Sequence, residues 1–246
     1  LLHHRVAPLP PQEEAEQRRA ALAAAVSGFV AEHSLDADRT FVSLPRANAL
    51  LSRLSLPEAA KNDLAQVLEF EIDRLLPLSR DEIYYDTVVR EAGGKLDVLV
   101  VSVPRRVVAE VLSALEMANV ATRCVAISPA AIFDFLRYTS QDDEEHAVAL
   151  VEDGPGVEFD YVARGTLIAS HLVRGEEVAS PAQVSRLVSQ ESTAAGGSPG
   201  TVKIYAWRTP GGDAGAPALA PDLLASGTEL LERAARALSV PDDFAT

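Results

Sequence analysis

Apolar positions in the first half of the chain recur with two different periods, which predict strands and a helix. Two short apolar runs, Thr40–Leu44 and Ala49–Leu56, are separated by Pro45-Arg46 and predict a pair of strands. From Pro57 to Leu76 apolar side chains recur every three or four residues, which predicts an amphipathic helix with proline at its first position. Its predicted buried stripe comprises Leu64, Val67, Leu68, Ile72, Leu75 and Leu76.

Two further β-rich segments, Glu82–Arg90 and Leu96–Val103, follow this helix. They are joined by Glu91–Lys95, whose two adjacent glycines predict a tight hairpin. A helix over Pro104–Asn119 and a strand over Ala121–Ile127 come next. We expect the strands Leu96–Val103 and Ala121–Ile127 to form a parallel pair joined by that helix. The remaining helices predicted in this half are Gln12–His33 and a helix from Ser128 to Tyr138.

The acidic run Ser140–His146 predicts a solvated linker rather than a metal site, because it has neither spaced oxygen ligands nor a glycine turn. Beyond it the pattern predicts a three-stranded meander, then a helix, a strand and a last helix. These elements are Ala147–Glu152, Gly156–Ala163, Thr166–Val173, Pro181–Glu191, Thr201–Trp207 and Thr228–Leu238.

Composition limits the classes of partner. Hydrophobic residues make up 48% of the 246 residues, which is typical of a folded globular protein. The net charge of −14 makes nucleic acid a poor partner and disfavours adsorption to anionic lipid. A basic protein partner would suit this charge, and solubility alone explains it about as well. The single cysteine, Cys124, excludes an internal disulfide and is predicted to be a small core residue.

Four segments in fixed order resemble the actin-like cytoplasmic domain of type II secretion system protein L and its relative, type IV pilus assembly protein M. They read LPRANALLSRLSLP, LEFEIDRLLPL, YYDTVV and VLVVSVPRRVV, and the resemblance covers Phe41–Ile127 best. The later segments Ala147–Val173 and Thr201–Thr246 match by layout only. The resemblance is closer to protein L.

The resemblance implies an α/β fold of the two-lobed actin-like ATPase class, which is ribonuclease H-like. Residues 1–139 would form the first lobe, with a strand-strand-helix-strand-strand subdomain inserted at about 41–103. Residues 140–146 would be the acidic linker and residues 147–246 the second lobe. Because the chain begins at Leu1 without methionine, it is expected to be a fragment. A transmembrane and periplasmic part after Thr246 would favour protein L, and a stop codon there protein M.

Nucleotide binding in actin-like ATPases uses glycine-rich turns, and this chain departs from that pattern. The N-terminal phosphate-binding hairpin has no counterpart before the first helix; either it was removed or it never existed. The nearest match to the second turn is Asp153, Gly154 and Gly156, but Pro155 between them lacks an N–H donor. The flanking Glu152 and Glu158 would add negative charge where a triphosphate binds. Gly211-Gly212 is the candidate for the adenosine side.

The resemblance to protein L implies a non-catalytic scaffold at the cytoplasmic face of the bacterial inner membrane. Such a scaffold docks the secretion or assembly ATPase and contacts inner-membrane platform proteins, and it needs no cofactor and no metal. Any membrane contact would come from a segment outside this chain, and a homodimer stays open. The predicted ATPase-binding residues are on the polar side of the Pro57–Leu76 helix: Asp63, Gln66, Asp73 and Arg74.

Protein M provides the alternative, an ATP-binding and Mg-binding member that binds a peptide of a membrane partner. A small-molecule kinase of the same superfamily is disfavoured, because no acidic base lies near a complete phosphate-binding turn. Other chemistries have weaker support. The Gly-x-x-x-x-Gly-Lys and Gly-x-Ser-x-Gly motifs are absent, and the five histidines lack metal-ligand spacing.

Overall fold

The computed structural model describes residues 3, 5–10, 14–37, 39–139, 146–153, 156–174, 181–195 and 202–208. In these ranges the helices are α1 (Ala15–His33), α2 (Leu64–Leu75), α3 (Arg105–Met117), α4 (Ser128–Thr139) and α5 (Pro181–Ala194). The strands are β1 (Thr40–Leu44), β2 (Leu50–Pro57), β3 (Ile83–Ala92), β4 (Lys95–Pro104), β5 (Thr122–Ile127), β6 (His146–Asp153), β7 (Gly156–Ala163), β8 (Thr166–Arg174) and β9 (Lys203–Arg208). The predicted helix Thr228–Leu238, Gly211-Gly212 and most of the acidic linker lie outside the described residues.

The chain divides into two compact units. One contains Leu1–Thr87 and Val100–Ser128, and the other contains Val88–Leu99 and Pro129–Thr246. The predicted domain boundaries, with a linker at residues 140–146, stay a prediction.

In the first unit, β1 pairs in parallel with β5, from Thr40 opposite Thr122 to Leu44 opposite Ile127. Two expectations are therefore wrong: β1 does not pair with β2, and the crossover helix does not make β4 and β5 neighbours. A 3-10 turn over Arg46–Asn48 diverts the chain after β1, and β2 joins a different sheet of order β2-β4-β3. Helices α1 and α3 pack together and share the ion pair between Arg18 and Glu110, at 3.2 Å.

Cys124 is exposed on β5, so its predicted place in the core is wrong. Its partner in the parallel register, Phe41 on β1, is 71% exposed as well. The apolar residues around Cys124 suggested that it is buried. Whether other elements cover the β1–β5 pair, however, depends on tertiary structure.

The helix predicted from Pro57 begins as α-helix only at Leu64. Pro57 is the last residue of β2, and a 3-10 segment over Glu58–Asp63 leads into α2. After Leu75 the backbone becomes extended at Leu76, directly before Pro77, because the residue preceding a proline is disfavoured in the α conformation. The predicted buried stripe is confirmed at its centre, where Leu68 and Ile72 are buried.

Strands β3 and β4 form the predicted hairpin. Gly93 and Gly94 lie between them with φ of 58° and 73°, the left-handed values that a two-residue hairpin turn requires and that glycine adopts without strain.

The sheet of the second unit has the order β8-β7-β6-β9, with β6 parallel to β9 and the other neighbours antiparallel. This confirms the predicted meander. All eight residues of β7 are buried, and its side chains Val157, Phe159 and Tyr161 join a core with Val184 and Val188 of α5. The core fixes one face of the sheet against α5.

Candidate functional site

The polar face of α2 carries three of the four sequence-predicted partner residues, and the fourth, Asp63, directly precedes the first residue of the helix. Asp63, Gln66, Asp73 and Arg74 are exposed, whereas Leu68 and Ile72 are buried on the opposite side. Successive helical residues turn by about 100°, so Gln66, Asp73 and Arg74 lie within one sector of the helix surface. The structure thus brings the predicted residues together on one surface. Their role in partner binding stays a prediction.

Phe70 lies in the middle of this sector, and sequence reasoning missed it. It is 68% exposed, although it is an aromatic residue on an amphipathic helix. Its spacing of four from Gln66 and from Arg74 places it directly between these two side chains. The available signal was that Phe70 falls outside the apolar stripe of α2. We call Asp63, Gln66, Phe70, Asp73 and Arg74 the α2 surface.

Ion pairs order the charged side chains around Phe70. Arg74 Nη1 lies 3.3 Å from Glu71 Oε1, three residues earlier on the helix. Arg80 reaches back from the following turn, with Nε 3.4 Å from Asp73 Oδ1 and Nη1 3.8 Å from Glu69 Oε2. These pairs are exposed, so each is worth only about 0.2–1 kcal/mol of stability. They hold the charges in place rather than fold the helix.

A groove of about 790 Å³ adjoins the α2 surface. Its lining comes from the end of α2, the Pro77–Asp81 turn and Tyr85 of β3. The turn is closed by Ser79, which donates hydrogen bonds to Glu82 Oε2 from its hydroxyl at 2.8 Å and its N–H at 3.2 Å. Both bonds favour the charged carboxylate and lower the pKa of Glu82 from its ordinary value of 4.5.

Two tyrosines on β3 are exposed, and one of them, Tyr85, lines this groove. Tyr84 is 49% exposed and Tyr85 is 41% exposed. The guanidinium of Arg105, at the start of α3, lies 4.1 Å from the centre of the Tyr84 ring, which is a cation–π contact. Aromatic rings flanked by charged groups are the composition typical of protein-binding surfaces.

The phosphate-turn candidates belong to the second unit. Asp153 ends β6 and Gly156 begins β7, while Gly154 lies outside the described residues. A Cβ on Gly156 would lie 2.8 Å from the carbonyl oxygen of Val173, so close packing against β8 alone accounts for glycine at this position.

Glu152 and Glu158, expected to flank this turn together, are both buried. Glu152 is opposite Val157 in the register, and Glu158 is opposite Val151. Because side chains alternate along a strand, the two carboxylates lie on opposite faces of the sheet. The two carboxylates therefore do not add their negative charge on the same side of the turn.

A second polar cluster anchors α5 to its sheet. The Tyr161 hydroxyl lies 2.7 Å from His146 Nδ1, and His171 Nε2 lies 2.9 Å from Glu191 Oε1. Burial and the nearby Glu191 carboxylate raise the pKa of Tyr161, while a hydrogen bond with Ser192 lowers it. This cluster is structural, because the His171–Glu191 contact joins β8 to α5 and the His146–Tyr161 contact joins β6 to β7.

Neither a metal site nor a membrane span is found in the part of the chain that the structure describes. There, no three His, Cys, Asp or Glu side chains come close enough to hold a metal ion. None of the described helices combines the length and apolar character needed to cross a bilayer.

The fold belongs to the actin-like α/β class. Over 105 residues, or 42% of this chain, the sequence is 37% identical to type II secretion system protein L of Xanthomonas campestris pv. campestris. This match covers 26% of that protein, so the chain spans about a quarter of the curated relative's length. The resemblance predicted from the sequence is thus confirmed. Comparison with protein-family profiles gives no match.

Solved structures that resemble this chain share little sequence identity with it. A PilM–PilN type IV pilus biogenesis complex superposes with a TM-score of 0.56 and 16% identity, over 76% of this chain and 57% of that one. The cytoplasmic domain of EpsL, an inner membrane component of the Vibrio cholerae type II secretion system, gives a TM-score of 0.47 and 13% identity. This match covers 88% of this chain and 81% of the EpsL domain.

Proposed function

We propose that this chain is a non-catalytic scaffold of a type II secretion or type IV pilus platform. In this proposal it acts at the cytoplasmic face of the bacterial inner membrane and docks the secretion or assembly ATPase. The similarity to protein L supports the assignment to such a platform. Other inner-membrane platform proteins are further partners, and contact with the membrane comes through a segment outside this chain.

The exposed Phe70 within the α2 surface is the observation that carries the proposal. An exposed aromatic side chain is left in water unless a partner covers it, and burying one contributes about 1.5–3 kcal/mol. Binding energy at protein interfaces concentrates on such aromatic anchors, and the polar residues around them exclude water. Asp73 and Arg74 lie beside Phe70 and provide that polar rim.

The charges of the rim also select the partner. Fixed carboxylates and guanidinium groups favour a surface with the complementary pattern, and they raise the cost of docking a mismatched one. An ATPase domain that presents an apolar pocket flanked by opposite charges fits this surface. Since this mode uses binding energy alone, it requires neither a nucleotide nor a metal.

Charge reversal on the rim tests the proposal in a pull-down. The double variant Asp73→Arg with Arg74→Asp keeps the net charge but reverses its pattern, so we expect capture of the partner ATPase to fall about tenfold or more. The matched control is Arg106→Glu with Glu116→Arg, which swaps one exposed base and one exposed acid on α3. Full capture by the α2 variant would exclude the α2 surface as the docking site.

A further inference from the structure

The outer edge of β3 is open within the described part of the chain. In the sheet of order β2-β4-β3, β3 has a single neighbouring strand, β4. The hairpin has ten residues on each side of its Gly93-Gly94 turn, so continuous pairing directs the backbone groups of Tyr85 and Thr87 away from β4. An edge of this kind offers N–H and C=O groups to an added strand.

A side-chain hydrogen bond agrees with this direction at Thr87. The backbone N–H of Thr87 donates a 2.7 Å hydrogen bond to the carboxylate of the adjacent Asp86. Both residues belong to a strand, where ladder hydrogen bonds normally satisfy the backbone. The carboxylate therefore takes the place that the carbonyl of an added strand would occupy.

The surroundings of this edge are acidic and partly aromatic. Carboxylates outnumber basic groups around the start of β3 and the groove beside it: Glu69, Glu71, Asp73, Asp81, Glu82 and Asp86 against Arg74, Arg80 and Arg105. The exposed ring of Tyr85 lines the same groove. A second copy of this chain would bring the same negative charges together, whereas a basic segment neutralises them.

We propose that an extended, basic segment of a protein partner binds as an added strand beside the start of β3. Its backbone pairs with Tyr85 and Thr87 and displaces the Asp86 carboxylate from the Thr87 N–H. Its side chains alternate between solvent and the groove beside Tyr85, where its basic groups meet Asp73 and Asp81. This inference deepens the proposed function, because it gives the docked protein a binding mode and a charge.

Peptide titrations followed by amide NMR shifts test the added strand. The probe is a ten-residue peptide of alternating lysine and valine, and its matched control carries N-methyl groups on alternate amides. N-methylation keeps the charge but removes the donors that pair with β3, so we expect about tenfold weaker binding or more. The amide shifts that the unmodified peptide causes in the protein should concentrate at Tyr85 and Thr87. Equal affinities for the two peptides would overturn the proposal.

Two single-charge variants separate strand addition from plain electrostatic attraction. Asp81→Ala and Asp86→Ala each remove one exposed negative charge near the groove. We expect Asp81→Ala to weaken peptide binding several-fold and Asp86→Ala to strengthen it, because the latter frees the Thr87 N–H. Equal weakening by both variants would contradict strand addition. If the ATPase is still captured but these peptide tests fail, the proposed function stands and strand addition at β3 is excluded. If the peptide tests succeed but the ATPase is not captured, strand addition stands and the ATPase is excluded as the partner.

Discussion

Phe70 and Ile72 lie two residues apart on α2, and their surroundings are opposite. Ile72 is fully buried, whereas Phe70 is 68% exposed. The larger, aromatic side chain thus faces water, while the aliphatic one packs inside. This contrast is the residue-scale basis for separating the proposed binding role of α2 from its folding role.

Alanine substitutions at these two positions should have different effects on stability. We expect Ile72→Ala to lower the free energy of unfolding by about 2–5 kcal/mol, because it leaves a cavity in the core. Phe70→Ala should change it by less than about 0.5 kcal/mol, because most of this residue is exposed to solvent. Urea denaturation followed by circular dichroism measures both values. A comparably large loss for Phe70→Ala would mean that this ring is part of the core.

Glu82 makes stability depend on pH in the acidic range. Its pKa is lowered in the folded state by the Ser79 hydrogen bonds, so its stabilising contribution is present above the unfolded value. That contribution is lost as the pH falls below about 4.5 and through the folded pKa.

A Glu82→Gln variant tests this dependence. The difference in unfolding free energy between wild type and Glu82→Gln should shrink as the pH is lowered from about 6 to about 3. Denaturant titrations at several pH values measure it, with the exposed Glu58→Gln as the control. A difference that is constant over this range would show that the Ser79 contact does not stabilise the charged form.

At the scale of elements, local signals predicted where strands and helices form better than which strands pair. Gly156–Ala163 is a strand with the predicted limits, because turn residues bound it on both sides. The partner of β1 could not be predicted, because β5 lies far along the chain and the parallel register depends on tertiary packing. Similarly, no local pattern showed that a 3-10 segment would precede α2.

Local sequence signals also predicted part of the candidate site. Helical periodicity places Asp63, Gln66, Asp73 and Arg74 opposite the apolar stripe, so their exposure followed from the sequence. Phe70 and the open edge of β3 emerged only with the structure, because exposure of an aromatic residue and the lack of a neighbouring strand are tertiary properties.

At the scale of the whole molecule, the proposed function requires an actin-like fold to bind a protein and not to hydrolyse a nucleotide. Titration with a fluorescent ATP analogue and magnesium should therefore give no saturable signal at micromolar concentrations. The titration should use the protein with its natural N-terminus. Saturable, magnesium-dependent binding would favour the ATP-binding alternative.

Docking through the α2 surface can be measured by calorimetric titration of the partner ATPase with the Phe70→Ala variant of this protein. The control is Tyr138→Ala, which removes a similarly exposed aromatic side chain from α4, 61% exposed against 68% for Phe70. We predict that Phe70→Ala weakens the affinity at least tenfold, about 1.4 kcal/mol or more, while Tyr138→Ala leaves it unchanged. Equal affinities for wild type and Phe70→Ala would contradict docking through the α2 surface.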